Sequence, residues 1–250
     1  MVPLYHLGFK SEPQAEFAIL PGDPGRVEEI ARRLGNPRFF AQNREYTTWL
    51  GEDNGRNIIV MSTGMGGPSA AIAVEELAQC GVRTLVRIGT CGGMAERVRG
   101  GDIVVATAAI RAEGTSREYV PIEFPAVADI EVTNALISAA KDCGAAYHAG
   151  VVHCKDSFYG QHSPERMPVG YELQNKWEAW LRAGALASEM ESAAVFTVAQ
   201  TLGLRAGCVL GVLWNQERRK RGLDDADGDA VTAADIAVAA VRKLMGSGRG

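Results

Sequence analysis

Apolar positions along the chain fall into short continuous runs separated by amphipathic stretches, a pattern that predicts alternating strands and helices. Residues 17–20 form an apolar run of buried-strand length. After Pro21-Gly22-Asp23-Pro24-Gly25-Arg26, apolar residues recur at Val27, Ile30, Ala31 and Leu34. Asp23 is placed as the cap of that helix, Pro24 as its first residue and Gly35 as its stop. Residues 46–50 and 57–61 read as a hairpin around Asn54-Gly55. The glycine loop 62–69 then opens a helix over about 68–79. A strand over 84–90 carries an arginine, Arg87, and is expected to run into a turn built from Gly89, Gly92 and Gly93.

Further along, a strand is expected over 103–110, and residues 111–128, with Pro121 and Pro125, read as irregular. A helix over 130–143 has Asp129 as its cap and Gly144 as its stop. A strand lies within 146–157, followed by a breaker-rich loop over 158–166. A helix over 171–182 carries Trp177 and Trp180, read as a core pair. A strand over 185–190, a helix over 193–202, a strand over 206–214, a charged loop over 216–229 and a helix over 231–245 complete the chain, with 246–248 fraying. No repeat or linker interrupts the alternation. The expected fold is one α/β domain, residues 1–250, with a central mixed and largely parallel sheet flanked by helices on both faces. In such sheets ligands bind at the carboxyl ends of the strands.

Composition narrows the function. Charged residues make up 22 % of the chain and the net charge is −4, so no basic face for nucleic acid is implied. The basic run Arg218-Arg219-Lys220-Arg221 is followed by Asp224, Asp225, Asp227 and Asp229 and reads as a solvated mixed-charge loop. The five cysteines lack a CxxC spacing, which argues against a disulfide framework or zinc site and fits a reducing compartment. His6, His148, His153 and His162 show no metal-ligand spacing. The N-terminal residues Met1-Val2-Pro3 open no signal-like pattern, and no apolar run reaches membrane length. A cytoplasmic protein without membrane association is expected.

Two sets of polar residues fall at the ends of predicted strands. Arg26, Arg44 and Arg87, with Gly22, the other loop glycines and Thr90, form a cationic set suited to a phosphate dianion, because guanidinium forks match phosphate oxygens. Arg87 admits a second reading, a buried ion pair with a structural carboxylate. Glu189-Met190-Glu191 puts two carboxylates two residues apart, facing one way if the segment is extended and suited to sugar hydroxyls. The same residues also suit a helix start, where acids favour the dipole. Gln161 and Arg166, after Phe158-Tyr159, can read a lactam edge beside a stacking aromatic, or lie on a surface loop.

Taken in order, Pro21-Gly22-Asp23-Pro24-x-Arg26, Arg44-Glu45-Tyr46-Thr47-Thr48, Ser62 to Ser69, Arg87-Ile88-Gly89-Thr90 and Glu189-Met190-Glu191 resemble the nucleoside phosphorylase family of trimeric or hexameric type. The resemblance runs from His6 to the last helix. It implies reversible phosphorolysis of a nucleoside, with Gly22, Arg26, Arg87 and Thr90 on the phosphate and Arg44 completing that site in a neighbouring subunit. Glu189, Met190 and Glu191 would hold the ribose, with His6 reaching the partner's ribose. Phe158, Gln161, Arg166, Leu213 and Trp214 would hold the base. Arg87, Arg166, Gln161 and Glu191 would carry the catalysis.

Glu45 and Ser69 would help bind a monovalent cation such as potassium between subunits. Inorganic phosphate is a co-substrate and no other cofactor is implied. The family's assembly is a homo-oligomer, here expected as a hexamer built from dimers. Purine-specific relatives carry an aspartate after the late strand, where this chain has Leu213-Trp214-Asn215, so a pyrimidine nucleoside is expected, uridine and also deoxyuridine. The alternatives are a purine nucleoside phosphorylase, a nucleosidase and a non-catalytic nucleoside-binding protein. Two departures stand out. Cys91 occupies a position where bacterial members often carry a second threonine, and the Gln161–Arg166 spacing exceeds their Gly-Gln-x-Arg.

Overall fold

The computed structural model describes residues 4–223 and 226–247; Met1, Val2, Pro3, Asp224, Asp225 and Gly248, on which some sequence expectations fall, lie outside the described residues. One mixed sheet organises the chain. Its first part comprises β1 (Ala15–Pro21), β2 (Gly35–Asn43), β3 (Tyr46–Asp53), β4 (Arg56–Met61) and β5 (Thr84–Gly93). Its second part comprises β6 (Ile103–Ala112), the two-residue β7 (Ala126–Val127), β8 (Tyr147–Lys155), β9 (Ala187–Glu189) and β10 (Arg205–Asn215). The order is β10-β6-β8-β9-β5-β1-β4-β3-β2, and β10 also pairs with β5, so five strands close a ring while β1, β4, β3 and β2 extend from it. The β1–β4, β1–β5, β5–β10, β6–β8 and β8–β9 pairs are parallel, and the hairpin strands, β9–β5 and β10–β6 are antiparallel.

Alternation along the central strands sorts the core into two layers, because successive side chains point to opposite faces. Ala18 and Leu20, Ile59 and Met61, and Leu85 pack on one face with α2 (Gly67–Gln79) and α6 (Ser192–Thr201). Phe17 and Ile19, Ile58 and Val60, and Val86 and Ile88 pack on the other with α1 (Val27–Ala31), α3 (Ile130–Asp142) and α8 (Val231–Ser247). Arg87 alternates with Val86 and Ile88 and therefore shares the α6 face with Leu85. The caps behave as the residue types dictate. Asp129 Oδ1 accepts from the Val132 N–H at 2.9 Å, and Asp23 Oδ1 accepts from the Gly25 N–H at 2.8 Å to open a 3₁₀ turn over Pro24–Arg26 ahead of α1. The hairpin turn puts Asn54 (φ 48°) and Gly55 (φ 73°) in the left-handed region, as a two-residue turn requires.

The structure corrects several expectations. α1 ends earlier than expected, at Ala31, and Gly35 is not its stop but the start of β2, an edge strand whose residues are largely exposed, so no buried-face alternation marks it. The segment 89–93 is no turn. β5 continues through Gly93 because Gly92 and Gly93 pair with Ser188 and Ala187 of β9 on one side and with Trp214 and Asn215 of β10 on the other. A Cβ on Gly93 would stand 2.8 Å from Asn215 Nδ2, so the glycines permit close strand approach there. The loop 158–166 contains a short helix, α4 (Phe158–His162), and a 3₁₀ turn over Pro164–Arg166, with Ser157 capping the first. The charged loop begins as α7 (Gln216–Lys220). Gly246 and Ser247 belong to α8. Trp177 and Trp180, on α5 (Gly170–Arg182), are half-buried and flank the His153 ring at centroid distances of 6.1 and 6.5 Å instead of entering the core.

Where α3 crosses β10, only a glycine fits. A Cβ on Gly207 would sit 2.4 Å from Val132 Cγ1 and 3.1 Å from Leu136 Cδ1. Gly207→Ala is expected to lower folding stability by about 1–3 kcal/mol through overpacking, read as a reduced midpoint in urea unfolding.

Candidate functional site

The carboxyl ends of β1, β5, β8, β9 and β10 and the glycine loop after β4 surround one cleft of about 570 Å³. Its lining includes Gly22, Arg26, Glu45, Arg87, Thr90, Cys91, Lys155, Phe158, Gln161, His162, Ser188, Glu189, Met190, Glu191, Leu213 and Trp214. The geometry centres on Arg87, only 3 % exposed. Its Nε donates to Glu189 Oε2 at 3.1 Å and its Nη2 to Glu191 Oε2. Its Nη1 is buried and has no hydrogen-bond partner among the described residues. A Cβ at Gly22 would lie 4.0 Å from that Nη1 and 3.2 Å from the Gly64 carbonyl, so two glycine loops close over the guanidinium. The ion-pair reading of Arg87 therefore holds for two of its nitrogens, which meet Glu189 and Glu191. Arg26, one-third exposed and 3.8 Å from Asp23 Oδ2, adds a second cation on the same cleft, and Thr90 adds a hydroxyl.

The two glutamates differ in environment. Glu189 accepts from Arg87, from the Glu191 N–H at 2.9 Å, from the Ser192 N–H at 3.0 Å and from Ser192 Oγ at 2.5 Å. Burial pushes its pKa up, but Arg87 and these donors outweigh burial and hold it below the ordinary 4.5. The helix-start reading applies to Glu189, which accepts from the first N–H of α6 while holding Arg87, and both glutamates line the cleft. Glu191 Oε1 accepts from the Gly66 N–H at 2.5 Å. Its burial, and repulsion from Glu189, outweigh the pull of Arg87 and raise its pKa above the ordinary value. Burial opposes the charge of Arg87, yet the two carboxylates raise its pKa above the ordinary arginine value.

At the opposite end of the cleft stand Phe158, Gln161, His162, Leu213 and Trp214. The His162 ring lies between Phe158 and Trp214, at centroid distances of 4.3 and 5.9 Å. Gln161 Nε2 donates to Gln216 Oε1 at 3.0 Å, and Gln161 Oε1 accepts from Ser188 Oγ at 2.7 Å. Arg166 does not line the cleft; it is exposed, with its guanidinium carbon 5.9 Å from the Tyr159 ring centroid. The longer Gln161–Arg166 spacing allows this, since the 3₁₀ turn after α4 carries Arg166 away from Gln161. Asn215 is fully committed to structure: its Nδ2 donates to the Ala95 and Val98 carbonyls at 2.8 and 2.7 Å, and its Oδ1 caps α7. The Cys91 thiol is buried, packs 3.7 Å from the Gly211 carbonyl and has its pKa pushed far up by burial.

Three further expected residues lie off this cleft. His6 is held at Glu76, whose Oε1 lies 2.7 Å from His6 Nδ1. Arg44 is exposed in the β2–β3 turn with φ 52°. Ser69 Oγ donates to the Thr63 carbonyl behind Gly64. A Cβ on Gly64 would meet both Glu45 Cγ and Ser69 Oγ at 2.8 Å, so these two oxygen-bearing side chains flank one glycine. Among the described residues no group of three or more His, Cys, Asp or Glu is arranged to hold a metal ion. No helix among them is long and apolar enough to cross a membrane.

Sequence reasoning missed Lys155, Ser188 and His153. Their one signal was available: a lysine closing an apolar strand, as Arg87 does in β5, is as costly to bury and needs the same explanation.

Comparison with known proteins completes the picture. A family model described as Phosphorylase superfamily matches residues 16–245. The chain is 50 % identical over 242 residues to a uridine phosphorylase of Treponema pallidum (strain Nichols), covering 96 % of this chain and 94 % of that protein. It is 45 % identical over 250 residues to a uridine phosphorylase of Escherichia coli (strain K12), covering 97 % and 98 %. It is also 40 % identical over 238 residues to a guanosine phosphorylase of Halorubrum lacusprofundi, covering 95 % and 94 %.

The depressed pKa of Glu189 fixes the sign of a stability effect. A carboxyl that titrates lower when folded contributes stability above its unfolded pKa and loses it as pH falls through the folded one. Glu189→Gln is therefore expected to lower stability by about 3–5 kcal/mol at neutral pH, by leaving Arg87 short of a buried partner. The gap to wild type narrows as pH falls below 4.5, which thermal melts across a pH series would show.

Proposed function

The chain belongs to the phosphorylase superfamily, and from that membership we propose that it acts as a uridine phosphorylase, converting uridine and phosphate reversibly to uracil and ribose 1-phosphate. The observation that carries this reading is the buried, unpartnered Arg87 Nη1 beneath Gly22, in a cleft that also holds Arg26 and Thr90. An orphaned buried cationic donor is costly, and a phosphate oxygen is the partner it suits. Phosphate would sit on Gly22, Arg26, Arg87 and Thr90, with Arg44 supplied by a neighbouring subunit. Ribose would lie against Met190 and Glu191, with His6 reaching in from that subunit. The position of His6 and Arg44 off the cleft of their own chain supports a homo-oligomer, proposed as a hexamer built from dimers.

Attack on C1′ by a positioned phosphate needs no protein nucleophile. Orientation of phosphate against C1′ does much of the work, and the phosphate charge with Glu191 stabilises the oxocarbenium-like ribose. Uracil would stack among Phe158, Leu213 and Trp214 and be read by the Gln161 carboxamide, which keeps one N–H and one lone pair after its bonds to Gln216 and Ser188. Glu45 and Ser69 present a carboxylate and a hydroxyl side by side and would hold a monovalent cation such as potassium, completed by oxygens of a second subunit. The scattered free cysteines support a cytoplasmic setting.

A second reading, a purine nucleoside phosphorylase, draws support from the guanosine phosphorylase relative. Against it stands Asn215, which ends β10 with every side-chain polar atom committed and offers no acid to a purine.

Assays of uracil release from uridine and hypoxanthine release from inosine, each with and without phosphate, separate the readings; phosphate-dependent uracil release is expected. Arg26→Ala tests the phosphate site without disturbing the buried ion pairs. It is expected to raise the KM for phosphate about 10- to 100-fold, the loss of one or two charge-assisted hydrogen bonds, with unchanged thermal stability.

A further inference from the structure

At the base end of the cleft lies a buried cation that the proposed chemistry has not yet used. Lys155, the last residue of β8, is 7 % exposed and lines the cleft. Its Nζ donates to Ser188 Oγ at 2.9 Å, and among the described residues it forms no ion pair. Ser188 Oγ also donates to Gln161 Oε1 at 2.7 Å and stands 3.1 Å from His153 Nδ1. A hydroxyl has one proton and two lone pairs. With its proton on Gln161, Ser188 accepts from Lys155 and from His153, which fixes the imidazole as the neutral Nδ1–H tautomer. Burial, reinforced by Lys155, pushes the His153 pKa down to about 4, which agrees with that tautomer. The ammonium is thus held in one place with two N–H groups unspent, at the side of the cleft where Gln161, Phe158 and Trp214 gather.

Arg166, the cation expected there, points away. Resting on the uridine phosphorylase reading, we propose that Lys155 is the cation that stabilises the departing base, donating from Nζ to a carbonyl oxygen of the uracil as the glycosidic bond breaks. The C1′–N1 electron pair passes to the base and spreads over its ring carbonyls, while a phosphate oxygen forms the new bond to C1′. The hydrogen phosphate surrenders its proton to solvent and the uracil anion takes one back after release, so Lys155 begins and ends protonated. Ser188 and His153 are positioning residues that aim the ammonium. Fixed donors of this kind at a site of developing charge contribute about 10²- to 10³-fold to turnover.

The test compares uridine with 5-fluorouridine, whose base is the more acidic and leaves with less need of stabilisation. Lys155→Met in the full-length protein is expected to lower kcat/KM for uridine about 10²-fold or more, the loss of a fixed donor at the developing charge. The loss on 5-fluorouridine is expected to be at least several-fold smaller, the KM for phosphate near wild type, and activity partly restored in Lys155→Arg. Equal losses on both substrates, or a uridine rate near wild type, would overturn the proposal. If Lys155→Met does not fold, by circular dichroism, Lys155→Gln carries the same comparison with the same two outcomes. Wild-type protein that releases no uracil from uridine and phosphate would instead overturn the reading on which the inference rests, and the inference with it.

Discussion

A guanidinium cannot be buried alone, and the centre of this molecule is organised around that constraint. Arg87 sits in β5 and is satisfied by Glu189, at the end of the neighbouring strand β9, and by Glu191 just after it. Those carboxylates are held in turn by the first N–H groups of α6 and by the Gly66 N–H in the loop that opens α2. One ion-pair cluster therefore ties β5, β9, α6 and the β4–α2 loop together. Such a cluster contributes little net stability over an apolar replacement, but breaking it leaves unpaired buried charge. Its effect is to leave one nitrogen, Nη1, pre-aimed and dry.

That arrangement explains why the glycines of β5 are where they are. β5 pairs with β1 along its first half and with β9 at its end, and β10 runs beside it throughout. A strand crowded by three neighbours has room for few side chains at its carboxyl end, and Gly89 and Gly93 stand against Arg87 and Asn215 respectively. The close approach places Glu189 of β9, and Glu191 just beyond it, within reach of Arg87. The ring of strands thus makes the phosphate-suited end of the cleft a consequence of packing.

The other end of the cleft is built from neutral polar groups and one further buried cation. His153, Ser188, Gln161 and Gln216 form a chain of hydrogen bonds that spans β8, β9, α4 and α7. Lys155 lies within it, where desolvation lowers its pKa despite the attraction of Glu189. The two ends are thus electrostatically unlike: a charged cluster paired by carboxylates, and an ammonium hydrogen-bonded into a hydroxyl and amide network.

What was legible in the sequence followed from local rules. A run such as 206–212 is apolar on both faces and marks a buried strand; Asp129, Asp23 and Asn54-Gly55 mark caps and a turn by their own backbone chemistry. The phosphate-suited arginines and the Glu189–Glu191 pair were visible because charged residues at the ends of buried strands demand a reason. β2 was invisible because an exposed edge strand carries no alternation, and the continuation of β5 through Gly93 because only neighbouring strands decide whether a glycine run turns or pairs. Partners were likewise beyond the sequence. That Arg87 is both ion pair and open donor, that Arg166 turns out and Lys155 turns in, depends on contacts between residues tens of positions apart. Local propensity carries no information about such contacts, and burial energetics settle them only once the sheet has closed.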